Sequence, residues 1–161
     1  METEIVIRGA LAKKIITMAQ DKGQTPEEFL TQLVMEAIED PHERVKLYLE
    51  LSEEYLREAK VMEEEGRITQ ASEKYWGAVA SLLNAIGERR GWRHYTHRDY
   101  WEIIERIAEE CKDPEVLTLF DSAEKLHANF YHGFLSPWGF KIRKEKCLML
   151  VEKLRKYIAE R

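Results

Sequence analysis

Apolar residues recur along most of this chain at intervals of three and four, the spacing that brings side chains onto one face of an α-helix. Val45, Tyr48, Leu49, Tyr55, Leu56, Ala59 and Met62 form one stripe, closed by the acidic run Glu63 to Glu65 and by Gly66. Ile68, Ala71, Tyr75, Val79, Leu82, Leu83 and Ile86 form the next, ending near Gly87. Gly77, Ala78, Ala80, Ser81 and Ala85 are interleaved with it, small residues that let a neighbouring helix come close. A shorter stripe runs through Tyr100, Ile103, Ile104, Ile107, Ala108 and Cys111, a fourth through Val116, Leu119, Phe120, Ala123, Leu126, Phe130 and Phe134, and a last through Cys147, Val151, Leu154 and Ile158. The spacing predicts an all-α fold, an up-and-down bundle over residues 41–161.

Each of the four prolines follows a residue able to cap a helix: Thr25-Pro26, Asp40-Pro41, Asp113-Pro114 and Ser136-Pro137. A Ser, Thr or Asp oxygen accepts from free N–H groups of the first turn, and proline suits the first helical position because its missing N–H loses nothing there. Thr25 with Glu28, and Asp40 with Glu43, have the three-residue spacing of a capping box.

Residues 1–40 have a different rhythm and form a candidate dimerisation or packing segment. Glu4 to Arg8 reads as a short strand; Leu11, Ile15, Met18 and Ala19 mark a helix stopped at Gly23; Phe29, Leu30, Leu33, Val34, Ala37 and Ile38 mark a second. Strand, helix, turn, helix resembles the ribbon-helix-helix arrangement, in which two chains pair their strands and the ribbon can enter a DNA groove. Alternation places Glu4, Val6 and Arg8 on one face, one cation and one repelling anion, so dimerisation is a better expectation than DNA reading.

Composition narrows the class further. A third of the residues are charged, with eight glycines and four prolines, which suits a helix-rich globular protein and not a disordered one. There is no apolar run long enough to span a bilayer, and METEIVIRG is too polar for a signal peptide, so a cytoplasmic protein is expected. Cys111 and Cys147 both fall among apolar helix positions and read as buried thiols in preference to a disulfide. The net charge of −5 argues against a chain that coats nucleic acid, although Arg89, Arg90, Arg93 and Arg98 make one local basic stretch and Lys141, Arg143, Lys144 and Lys146 another.

Candidate chemistry concentrates in two places. In LHANFYHGFL, residues 126–135, a helical wheel puts Leu126, Phe130 and Phe134 on the core stripe, Asn129 and His132 on the opposite side, and His127 and Tyr131 on the flank. Asn129 and His132 are then either ligand contacts or a polar pair bonding a loop or a second subunit. In ERRGWRHYTHRDYW, residues 88–101, arginines for phosphate and Trp92 or Tyr95 for base stacking suggest an RNA-binding loop, with a solvated loop covering the core as the alternative. His94-x-x-His97 followed by Asp99 has ligand types in place but no further cluster, so no metal or other cofactor is expected.

Residues 45–160 resemble a HEPN-type helical bundle, and more closely the archaeal PaREP family of small helical proteins. The resemblance is carried by ASEKYWGAVASLLNAIG (71–87) and LFDSAEKLHANFYHGFL (119–135), the latter with Ala123, Leu126, Asn129 and His132 in register. It implies a homodimer with a cleft at its interface, where active HEPN proteins cut RNA without metal using an arginine a few residues before a histidine. His132 then carries the catalytic acid–base role with Asn129 as its polar partner. His127 fills the arginine position, so the group that would clamp phosphate is neutral for part of the time near pH 7. Binding of RNA or a nucleotide phosphate by His127, Tyr131, Arg89, Arg90 and Arg93 is therefore the leading expectation, ahead of cleavage. A non-catalytic homodimeric scaffold and a ribbon-helix-helix DNA-binding regulator are the alternatives.

Overall fold

A computed structural model describes residues 3–161. Seven helices follow one another: α1 Gly9–Asp21, α2 Pro26–Ala37, α3 Pro41–Glu64, α4 Ile68–Arg90, α5 His97–Cys111, α6 Glu115–His132 and α7 Pro137–Glu160. They form two compact units, with the division between Asp40 and Pro41.

In the first unit α1 and α2 pack on one another across the turn at Gly23. The Thr25 hydroxyl accepts from Glu28 N (3.1 Å) and the Glu28 carboxylate accepts from Thr25 N (3.0 Å), so the expected capping box closes α2. The strand expected at residues 4–8 is not formed within the single chain. Arg8 is extended (φ −132°, ψ 165°), but a strand exists through its ladder, and no described segment pairs with this one.

In the second unit α4 is the central helix, packed against α3, α6 and α7 and touching α5. Its small residues decide this. Gly77 faces the Tyr55 ring, which would lie 3.2 Å from an added Cβ, and Ala71, Ala78 and Ala85 are fully buried. Leu82, Leu83 and Ile86 of α4 meet Ile103, Ile107, Leu119, Leu126, Leu150 and Leu154 in one core. All the expected bundle helices are present. α5 starts before Tyr100, because Thr96 and Asp99 form a capping box that no proline advertises. α7 starts at Pro137 as expected, with the Ser136 hydroxyl accepting from Gly139 N at 3.0 Å. Among the described residues no helix is long and apolar enough to cross a membrane.

Two core assignments change. Phe134 is 51% exposed, because α6 stops at His132 with Gly133 in the left-handed conformation (φ 57°), and Leu135 packs against the core instead. Cys111 is exposed, and only Cys147 is a buried thiol.

Candidate functional site

Trp76 on α4 is 3% exposed and forms the floor of a ring cluster at the surface. His127 of α6 stacks over it with centroids 5.0 Å apart, and His97, the first residue of α5, stacks at 5.6 Å. The two imidazoles are 5.1 Å from one another. Three such similar separations require both imidazoles on the same side of the indole, since rings on opposite faces would be twice as far apart. Tyr131, one turn beyond His127 and half exposed, stands edge-on to it at 5.2 Å.

His127 Nδ1 lies 2.8 Å from Glu73 Oε2, which comes from the α4 turn preceding Trp76. A carboxylate only accepts, so Nδ1 carries the proton and Nε2 is the nitrogen left to meet a ligand. Both partners are mostly buried, with side chains 19% and 14% exposed, so the pair is held in one geometry. The arrangement is a carboxylate-oriented imidazole beside a second imidazole over an apolar floor; Nε2 accepts in the neutral ring and donates to a phosphate oxygen in the imidazolium. Glu73 and Trp76 were not singled out from the sequence as site residues. The available signal was their i, i+3 spacing on α4, which puts an acid and an indole on one face.

Asn129 lies elsewhere than the wheel suggests. It is 1% exposed and faces inward, its Nδ2 donating to Ser72 Oγ (3.1 Å) and its Oδ1 accepting from Leu135 N (2.9 Å). Ser72 Oγ in turn donates to Ile68 O at 2.8 Å. Asn129 thus ties the α6–α7 turn to the first turn of α4, which also explains why an amide suits a position next to the core stripe. His132 does face outward. It ends α6, where the helix dipole favours positive charge, and its side chain makes no hydrogen bond or ion pair among the described residues.

The arginines do not join this cluster within the chain. Arg89 Nη1 donates to Ile158 O (2.8 Å), capping the end of α7. Arg90 Nη1 donates to Tyr157 Oη (2.8 Å), Nη2 to Glu110 at 2.9 Å, and its guanidinium covers the Trp92 ring at 4.6 Å. At about 1.5 Å per residue, Arg90 is roughly 25 Å further along α4 than Glu73. Arg93 is 79% exposed and sits 3.7 Å from Asp99. Trp92 is half-buried against the core and Tyr95 is exposed.

His94 and Asp99 are also committed to structure. His94 Nε2 is 3.0 Å from Glu88 Oε1 and its Nδ1 3.1 Å from Asn84 Oδ1; Arg44 Nε donates to the other Glu88 oxygen (3.0 Å) and Tyr100 Oη to Asn84 (3.0 Å). Burial pulls the His94 pKa below the ordinary imidazole value, outweighing the pull of Glu88 in the other direction. Burial pushes the Asp99 pKa up, but bonds from Tyr95 N and Thr96 N outweigh it and hold the carboxylate ionised as the α5 cap. His97, by contrast, turns to Trp76, so the three do not converge on one point. An open groove of about 550 Å³ runs along α5, lined by Arg98, Trp101, Glu102, Glu105 and Arg106; its balanced charges do not select an anion.

Among known proteins, the model of the archaeal PaREP1/PaREP8 family matches residues 47–151. A crystal structure of a protein from Sulfolobus solfataricus shares the fold, with a TM-score of 0.59 and 20% identity over 67% of this chain and 96% of that one. No curated protein matches the chain.

Proposed function

This chain belongs to the archaeal PaREP1/PaREP8 family, and for it we propose the binding of a nucleotide phosphate, RNA included, at the His97–His127 face of the bundle. The observation that carries the reading is the Glu73–His127 pair, 2.8 Å long, beside the His97 ring and over Trp76. The carboxylate keeps a proton on Nδ1, and Nε2 of the imidazolium donates to a phosphate oxygen. Tyr131, exposed at the rim, offers an aromatic edge and hydroxyl to a base or ribose. His132 follows it, exposed at the end of α6. Asn129 acts here as a positioning residue that fixes the end of α6, and Arg93, its side chain 79% exposed, is open to a ligand.

Fluorescence anisotropy with labelled single-stranded RNA and with a labelled nucleotide at low salt tests the reading. Binding that weakens in His127→Ala and His97→Ala supports it. A wild-type protein that retards neither probe overturns it. RNA cleavage that survives EDTA and is lost in His132→Ala would extend binding to catalysis.

A second reading, a non-catalytic homodimeric interaction protein, is favoured by one observation: Arg89 and Arg90 are engaged in holding α4, α5 and α7 together.

A further inference from the structure

Trp101 lies one turn along α5 from His97, roughly 6 Å for four residues of helix. Its Nε1 donates to Glu124 Oε1 at 2.6 Å. Glu124 precedes His127 by three residues on α6, so the Trp101–Glu124 bond is the rung of the α5–α6 contact next to the His97–His127 pair. The bond fixes the indole while the residue stays 51% exposed. Of the four tryptophans, this one alone is both anchored and open. Trp76 is the buried floor, and the Trp92 ring carries the guanidinium groups of Arg90 and Arg106 at 4.6 and 4.9 Å. Trp138 is 75% exposed and has no hydrogen-bond partner among the described residues.

Trp101 is also a wall of the groove of about 550 Å³ along α5, whose charged lining residues, Arg98, Glu102, Glu105 and Arg106, cancel. Arg98 pairs with Glu102 at 3.2 Å, whereas Glu105 and Arg106 make no hydrogen bond or ion pair among the described residues. A groove of zero net charge beside an open indole suits an uncharged aromatic ring, and the anion belongs one turn away at the imidazoles. We propose that this groove is the base subsite of the phosphate site. With a nucleotide's phosphate on His97 and His127, its ribose spans one helical turn and its base stacks on Trp101. Every base has a π-face, so the stack tolerates any of them. At the base edge Glu105 accepts from an N–H or amino group and Arg106 donates to a ring nitrogen or carbonyl oxygen. Tyr131 lies one turn from His127 in the opposite direction, on the side of the next nucleotide in a strand. The inference rests on the phosphate-binding reading and names its ligand class, nucleoside phosphates in preference to sugar phosphates.

Displacement of a labelled single-stranded RNA from the full-length chain tests it, with adenosine monophosphate and ribose phosphate as competitors. The two carry the same phosphate and differ by the base, so wild type prefers the nucleotide by about tenfold, the worth of one base stacked on an aromatic ring. In Trp101→Ala that preference vanishes. Trp101→Phe, which keeps an aromatic face, retains most of it. Equal displacement by both competitors in wild type overturns the inference and leaves the phosphate reading standing. So does a Trp101→Ala protein that keeps the preference, which would give the groove to another occupant, a protein segment included. An RNA that neither competitor displaces overturns both, because its phosphates are then not held at the imidazoles.

Discussion

His127 Nδ1 is bonded to Glu73 Oε2 across 2.8 Å, joining the last third of α6 to the first turns of α4. The pair serves both fold and site, and its two contributions separate by measurement. Removing the imidazole in His127→Ala gives up a mostly buried, charge-assisted hydrogen bond, and stability should fall by roughly 1.5–3 kcal/mol in urea denaturation. RNA binding should weaken about tenfold or more, since a hydrogen bond to a charged group is worth roughly 1.5–3 kcal/mol. Loss of stability with unchanged binding would leave the pair as a fold element only.

Asn129 and His132 should part company under substitution. Asn129→Ala strands Leu135 N at the α6–α7 turn and leaves Ser72 Oγ only its bond to Ile68 O; an unsatisfied buried group costs roughly 1–3 kcal/mol. A clear drop in the melting temperature is expected. His132→Ala touches an exposed side chain without partners among the described residues, so stability should stay within about 0.5 kcal/mol of wild type. Equal destabilisation by both would mean that the end of α6 is held differently.

The same two residues show how far sequence pattern reaches. Apolar spacing and the Ser/Thr/Asp-Pro pairs located the bundle helices, because burial on a helix repeats at a fixed angle and caps are local chemistry. The wheel placed His132 outside but misjudged Asn129, since a polar residue beside the core stripe turns inward once a tertiary partner such as Ser72 is supplied. Glu73 and Trp76 lie more than fifty residues from His127, and no local rule joins them. Arg89 and Arg90 looked free in a basic loop; their engagement by Ile158, Tyr157 and Glu110 arises only from the return of α7.

His94 should make the bundle acid-sensitive. Burial holds its folded pKa below the ordinary value near 6.5, so in the folded protein the ring stays neutral where the unfolded chain already takes up a proton. Unfolding then binds a proton, and stability falls with pH through the window below about 6.5, by at most about 1.4 kcal/mol per pH unit. Above that value the contribution is fully present. Thermal melts between pH 7.5 and 5 should show this slope, and His94→Gln should flatten it. An unchanged slope in the variant would assign acid sensitivity to other groups.

Thiol chemistry should distinguish the two cysteines. Cys147 is fully enclosed, its Sγ donating to Tyr75 O, and burial pushes its pKa up to about 12, so little thiolate forms. Cys111 ends α5 in the open. A thiol reagent should modify one cysteine at once in the native protein and the second only on unfolding. Prompt modification of both would contradict the packing of α7 on α4.

Gly87 is the sharpest steric constraint in the core. A Cβ built there would lie 2.7 Å from both His94 Cβ and Cδ2, closer than carbon atoms approach, and His94 is held from behind by Asn84 and Glu88. In an exposed helix, Gly→Ala gains about 1 kcal/mol of propensity. Here overpacking, typically about 1–3 kcal/mol, opposes that gain, and because the neighbour is a buried ring bonded to Glu88 the net effect should be destabilising. Gly87→Ala should therefore lower the urea midpoint. Combining it with His94→Gly removes both the obstructing Cβ and the ring, so the second substitution should cost less in the Gly87→Ala background than alone. Strict additivity of the two would show that the ring moves aside freely, and that the Arg44–Glu88–His94–Asn84 network is not what fixes the α4–α5 connection.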